Sequence, residues 1–291
     1  MKVGIQLYSV KDMIARDPVA AFEKVAQIGY KCWEVCQLYG RTDIAYNYGL
    51  QMPPQEAKAF VASLGVTVVG SHLTYEQTQD EQYLEGYLSY MEEIGCKAAG
   101  LGSSYFPYMD MEALKAQCAH FNHVGERCRA HGMKFYYHNH YHEFQKFGDR
   151  TVYQLLMENT DPSLVWFELD TYWAMRAGMD PKEVLRENAG RILFIHQKDF
   201  PKNFRSPANL YTYAVDPHAN LDRSVLRGVS EPDGFAEVGT GCMDIQGILD
   251  AANEAGVECV ILEQDRTALT EEESITISMN AFKKYKGLEW A

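Results

Sequence analysis

The sequence predicts one closed (β/α)8 barrel. Eight short β-rich runs alternate with eight stretches of helical spacing. Gly29, Gly65, Gly132 and Gly256 each end one of those stretches just before the next run. The 291 residues fill the length a barrel needs, and no linker, repeat or low-complexity tract divides them. A doubly wound open sheet is the alternative arrangement of the same units.

The elements follow in order. KVGIQL (2–7) leads into DPVAAFEKVAQIG (17–29). There Asp17 is placed to cap a helix, Pro18 suits its first turn and Gly29 its exit. KCWEVC (31–36) precedes PPQEAKAFVASLG (53–65), which repeats that design. VTVVGSH (66–72) precedes DEQYLEGYLSYMEEIG (80–95), and KAAGLGS (97–103) precedes MEALKAQCAHFNHVGERCRAHG (111–132). KFYYHNH (134–140) pairs with TVYQLLMENT (151–160), and LVWFELD (164–170) with DPKEVLRENAG (180–190). RILFIHQKD (191–199) and ECVILEQD (258–265) complete the strands, followed by DIQGILDAANEAG (244–256) and TEEESITISMNAFKKY (270–285). Residues 200–236 break the rhythm, and so long a connection after the seventh strand predicts a lid or substrate loop over the active face. The chain is read as a single domain, 1–291.

A hydrophobic content of 46% with 23% charged residues suits a folded protein with a sizeable core. The net charge of −13 argues against nucleic acid or anionic lipid as partner. Seven cysteines, an odd number with no CxxC pair, read as reduced thiols in a cytoplasmic protein. The N-terminus lacks the apolar core of a signal peptide, and no run is long enough to span a membrane. A homo-oligomer stays open.

In a barrel, chemistry gathers where strands end. Those ends carry Glu34, His72, the cluster His138–Glu143, Asp170, His196 and Glu263. A carboxylate beside Trp166 and Phe167 is costly to bury unpaired, so Asp170 needs a partner, a helix cap or a cation. Along an extended strand His138 and His140 share a face while Asn139 points away. One of His138, His140 or Glu143 completes a coordination sphere with Asp170, His196 and Glu263. Three carboxylates and an imidazole suit Mn²⁺, Mg²⁺ or Co²⁺, and the lack of thiolates argues against structural zinc. Tyr8, Trp33, Tyr39, Tyr137, Tyr172 and Trp173 supply aromatic faces. Most of these are read as packing, while Trp33 and Trp173 are candidates for stacking on a sugar.

GIQLYSVKD (4–12), YHNHYHEF (137–144), LDTYWAMRAGMDP (169–181), FIHQKDF (194–200), EVGTGCMDIQGILDAA (237–252) and VILEQD (260–265) resemble the sugar phosphate isomerase/epimerase family, within the xylose-isomerase-like TIM barrel superfamily. The resemblance covers nearly the whole chain and is not specific for a substrate. It implies a divalent metal, often Mn²⁺, held by Glu, Asp, His and Glu at the ends of strands five to eight. Asp170, His196 and Glu263 match the last three. The fifth strand departs: His138-Asn139-His140 stands where many relatives have Glu-Asn-His. The expected ligand set is therefore Glu143, Asp170, His196 and Glu263, with His138 as the competitor for the first place.

The implied chemistry is removal of a proton next to a carbonyl of a sugar or keto-polyol. Returning the proton gives isomerisation or epimerisation, the expected outcome; losing a β-hydroxyl gives a lyase or dehydratase on a keto-inositol or 3-keto-glycoside. Glu143, Glu263 and His140 are the candidate proton carriers. His72, His138, Lys198 and Trp173 are candidates for binding substrate, although Lys198 also reads as a surface lysine paired with Asp199. No Arg/Ser phosphate-gripping motif stands out, which favours an unphosphorylated substrate. An abasic-site nuclease and a non-catalytic sugar binder are the rival classes; the acidic charge counts against the first.

Overall fold

The computed structural model describes residues 1–36 and 49–290. Eight parallel strands close a barrel: β1 (Lys2–Gln6), β2 (Cys32–Cys36), β3 (Thr67–Leu73), β4 (Ala98–Leu101), β5 (Lys134–His138), β6 (Val165–Asp170), β7 (Ile192–Gln197) and β8 (Cys259–Leu262). Each pairs with its neighbours in sequence, and β1 pairs with β8. The open-sheet alternative is thereby excluded. The barrel helices are α1 (Pro18–Ile28), α2 (Pro54–Ser63), α3 (Glu81–Glu93), α4 (Met111–Ala130), α5 (Val152–Asn159), α6 (Pro181–Glu187), α7 (Ile245–Glu254) and α8 (Glu271–Phe282). All lie within the predicted stretches. Asp17 caps α1 by accepting the Ala20 N–H at 3.1 Å, and Gly29 takes the left-handed conformation at its exit with φ 119°.

The apolar residues divide into two bodies. The larger lies between the outer faces of the strands and the helices. Trp33 belongs there, fully buried against Phe22 with its indole N–H on the Tyr30 carbonyl. It does not reach the cavity, so it is not a sugar platform. Tyr39 lies outside the described residues.

The smaller body fills the lower half of the barrel with Cys32, Ala98, Tyr136, Phe194, Cys259 and Ile261. Above it the interior turns polar. Alternation puts Glu168 and Asp170 on the inward face of β6, with Tyr136 and His138 inward on β5. The strand register slips just before Glu34 against β3, and again just before Glu168 against β7. Such irregularities re-aim side chains next to functional sites. Here both precede an inward carboxylate.

Residues 200–236 are not a bare loop. They contain the helix Arg223–Val229 and two short 3-10 turns. Asp199 pins both ends of the segment, pairing with Ala236 through the backbone and accepting the N–H groups of Gly239, Gly241 and Met243 at 3.0 Å each. Gln145 holds its middle by donating to the Pro217 and Ala219 carbonyls.

Glycine has one sharp steric role. A Cβ at Gly100 would overlap the Tyr136 ring, which Glu34 and the Ser71 carbonyl hold in place through its hydroxyl. Gly100→Ala is therefore expected to destabilise by about 1–3 kcal/mol, the usual cost of overpacking; urea denaturation of the variant measures it.

Candidate metal centre and active site

The polar half of the barrel is built in two layers. The lower holds Glu34, His72, Glu168 and His196, whose ligand atoms lie within 4.8 Å of one another. His72 Nε2 sits 2.9 Å from Glu168 and 3.1 Å from Glu34. His196 Nε2 sits 2.6 Å from Glu34 and 3.2 Å from Glu168. Gln6 donates to Glu34 at 2.7 Å. Glu34 and Glu168 are fully buried, and they need these cations and donors.

The upper layer gathers His138, Asp170, His196 and Glu263, again within 4.8 Å. His196 joins the two: its Nδ1 faces Glu263 at 2.9 Å while its Nε2 rests on Glu34. Asp170 caps the helix Thr171–Arg176 by accepting the Trp173 N–H at 2.8 Å, leaving its second oxygen for the cluster. The cap and the cation partner are thus both realised. Between Asp170 and Glu263 stands the buried Lys198 ammonium, in contact with both and 3.6 Å from Asp265. Lys198 is not a surface residue paired with Asp199.

The donor set fits a divalent cation. His138 Nδ1 lies 3.1 Å from the Gly102 carbonyl, so the ring N–H is directed there and Nε2 is left with a lone pair. That Nε2 is buried without a hydrogen-bond partner, 3.6 Å from Asp170 and 4.0 Å from Glu263. His196 repeats the pattern, with Glu34 behind one nitrogen and the cluster before the other. Carbonyl or carboxylate backing is how protein metal sites orient imidazoles. Lys198 already shows that the two carboxylates are placed to share a positive charge.

Glu143 stands apart from this set. Its carboxylate accepts from the Tyr137 hydroxyl at 2.5 Å and the His140 backbone N–H at 2.8 Å, and lies 3.1 Å from His142. It groups with His140 and His142 and does not line the cavity. The expected placement of Glu143 beside Asp170 is corrected: the strand itself delivers His138, and the turn beyond it folds Glu143 beneath His140. As a proton carrier Glu143 is likewise shut away from the cavity; it shapes the turn that presents His140.

A cavity of about 830 Å³ opens over the upper layer, lined by His72, His138, His140, Trp173, Glu263 and Asp265 among others. His72 reaches it while tied to the lower layer, so it does not simply cap a strand. Trp173 packs against His140 with ring centroids 5.9 Å apart. Of the site candidates, Trp33, Glu143, Asp170, His196 and Lys198 do not line it; Asp170, His196 and Lys198 lie in the cluster beneath, in contact with Glu263 or one another.

A sequence profile of the xylose isomerase-like TIM barrel matches residues 22–285. The chain belongs to this family. It is similar to an inosose dehydratase of Clostridium beijerinckii, 27% identical over 265 residues, covering 84% of this chain and 82% of that one. The same barrel recurs in a sugar phosphate isomerase/epimerase from Parabacteroides distasonis, with a TM-score of 0.71, 23% identity and coverage of 96% and 92%. It recurs also in an IolI protein with a bound zinc atom, with a TM-score of 0.68, 14% identity and coverage of 97% and 96%. These two likenesses concern the fold. Enzymes of both the dehydratase and the isomerase/epimerase type are thus among the similar proteins.

Electrostatics in this xylose isomerase-like barrel follow from burial against pairing. Burial disfavours the charged form of His72, but Glu34 and Glu168 outweigh it and raise its pKa to about 10. Burial works against Lys198 too, and Asp170, Asp265 and Glu263 hold it well above its usual value. For His140, burial and then His138 and His142 outweigh the opposing effect of Glu263 and push it well below the ordinary histidine range. Burial lifts Asp265 to about 6, with Glu263 and Asp170 adding to it and Lys198 opposing. Glu168, Asp265 and the cationic role of Lys198 were missed in the sequence. Glu168 had a signal, since it lies two residues before Asp170 and so shares its face.

Titration with Mn²⁺, followed by calorimetry, checks the ligand set. His138→Ala is expected to abolish stoichiometric binding, while Glu143→Gln retains it. Glu34→Gln, which removes the carboxylate behind His196, is expected to weaken binding about 10–100-fold. In the metal-free protein, His72 contributes stability that is whole below about 6.5 and lost as pH rises through about 10, because its folded pKa is raised. Thermal unfolding is expected to weaken across that window, and the slope to shrink in His72→Gln.

Proposed function

We propose that the protein is a divalent-metal-dependent dehydratase acting on a cyclic keto-polyol. The observation that carries this reading is the convergence of His138, Asp170, His196 and Glu263 in one cluster, of which His138 and Glu263 line a cavity that also presents His140 and Asp265. The likeness to an inosose dehydratase supports elimination over the isomerisation expected from sequence, and the zinc of the IolI protein supports a metal. His138, Asp170, His196 and Glu263 would hold the cation. Two imidazoles with two carboxylates move the preference from Mg²⁺ towards Mn²⁺, Co²⁺ or Zn²⁺. When bound, such a cation polarises a substrate carbonyl and acidifies the neighbouring C–H.

The chain's own groups complete the reaction. His140 accepts the proton, since an uncharged imidazole has the lone pair that this step needs and its surroundings keep it uncharged. The C–H electron pair becomes the new C=C bond as the C–O bond to the β-hydroxyl breaks. Asp265, with its carboxyl lifted to about 6, returns a proton to the departing oxygen, which leaves as water. Glu143 and Trp173 position His140: one accepts its backbone N–H, the other packs against its ring.

Isomerisation or epimerisation is the second reading. It needs the same first step with the proton returned to carbon, and the sugar phosphate isomerase/epimerase neighbour favours keeping it. NMR in D₂O of the Mn²⁺-loaded protein with keto sugars and inososes separates them. Water loss with a new vinylic signal supports the dehydratase; deuterium in recovered ketone without water loss supports the isomerase; neither, for every ketone, sinks both. His140→Ala is expected to slow turnover by about 10²–10⁴-fold while retaining metal.

A further inference from the structure

The segment after β7 covers the cavity mouth with one helix, Arg223–Val229. Arg223, Leu226, Arg227 and Ser230 all line the cavity. Their spacing of i, i+3, i+4 and i+7 is a single helical face. That face carries two guanidinium groups and no acid. Like charges four residues apart disfavour a helix on their own. An anion between or beside them reverses the sign.

Three further observations point the same way. Arg266, just beyond β8, lines the same mouth. Among the described residues, Arg227 and Arg266 make no ion pair; of the four lining carboxylates, Glu263 and Asp265 face Lys198, and Asp12 and Glu76 form no ion pair with these arginines. Tyr105 lines the same cavity; burial and then Glu143 hold its phenol above the usual range, with Arg223 opposing, so it stays a proton donor. Its ring stacks on His142 with centroids 4.7 Å apart, and its hydroxyl is buried without a hydrogen-bond partner. A rim of arginines with a spare phenol donor is unexpected on a chain of net charge −13.

We propose that Arg223, Arg227 and Tyr105 grip an oxyanion carried by the substrate, a carboxylate or a phosphate, while its ketone lies at the cluster below. This rests on the reading of the cavity as the substrate site, and it sets the substrate apart from a neutral keto-inositol. The guanidinium fork matches either oxyanion in bidentate fashion, and the phenol adds a third donor. Arg223, Arg227 and Tyr105 are specificity residues under this assignment, with no part in proton transfer.

Calorimetric titration of the metal-loaded protein with malonate, with inorganic phosphate and with neutral myo-inositol tests it. The wild type is expected to bind at least one anion, more weakly as salt rises. Arg227→Gln, a change at an exposed position, is expected to weaken that binding about tenfold or more. Tyr105→Phe is expected to weaken it less, and Arg186→Gln on α6 not at all. Tighter malonate indicates a carboxylate substrate and tighter phosphate a phosphorylated one. Absence of binding by both anions, or equal binding to wild type and Arg227→Gln, overturns the proposal. Water loss from a neutral inosose alongside no anion binding would sink this inference and leave the dehydratase standing; Arg227-dependent anion binding with no reaction on any ketone would do the reverse.

Discussion

Negative charge stacked inside a closed barrel is the constraint on which this structure depends. Glu34, Glu168, Asp170 and Glu263 point into one narrow interior, and none of them can reach bulk water freely. Buried carboxylates persist only with cations or donors against them. His72 and His196 serve the lower pair, and Lys198 the upper. The upper pair also has His138, whose Nε2 no protein group satisfies. A binding site is thus a place where internal pairing stops one group short.

The rest of the architecture makes that interior possible. Helix packing is satisfied by the outer faces of the strands, so stability does not require an apolar barrel lumen throughout. Tyr136 closes the apolar lower layer, fits only because Gly70 and Gly100 lack side chains, and gives its hydroxyl to Glu34. The change from apolar to polar inside the barrel therefore happens across one residue. The register irregularities at Glu34 and Glu168 lie at that boundary. His196 links the two layers through its two nitrogens, so charge in one layer bears on the other.

Much of this was legible in the chain. Alternating periodicity gave every barrel strand and helix to within a few residues, because burial on a barrel is repetitive and local. Asp170, His196 and Glu263 were legible because strand ends in such a fold converge. The fifth-strand position was not. HNHYHE offers several donors within reach, and only the turn after His138 decides that Glu143 folds back onto Tyr137 and His140. Trp33 was misjudged for a similar reason: residue type does not say which side of a strand faces the lumen. Helical additions outside the barrel repeat, such as Thr171–Arg176 and Arg223–Val229, start at the caps Asp170 and Asp222 rather than from long periodic patterns.

The sequence by itself determined the barrel, its order and the strand ends at which chemistry collects, since each rests on spacing between near neighbours. Tertiary structure alone decided that His138 joins Asp170, His196 and Glu263, that Lys198 is sealed among carboxylates, and that Arg223, Arg227 and Arg266 meet over one cavity. No motif announced those arginines, because Arg266 is far from the other two in the chain and the pairing of β7 with β8 brings the segments that follow them to a common mouth.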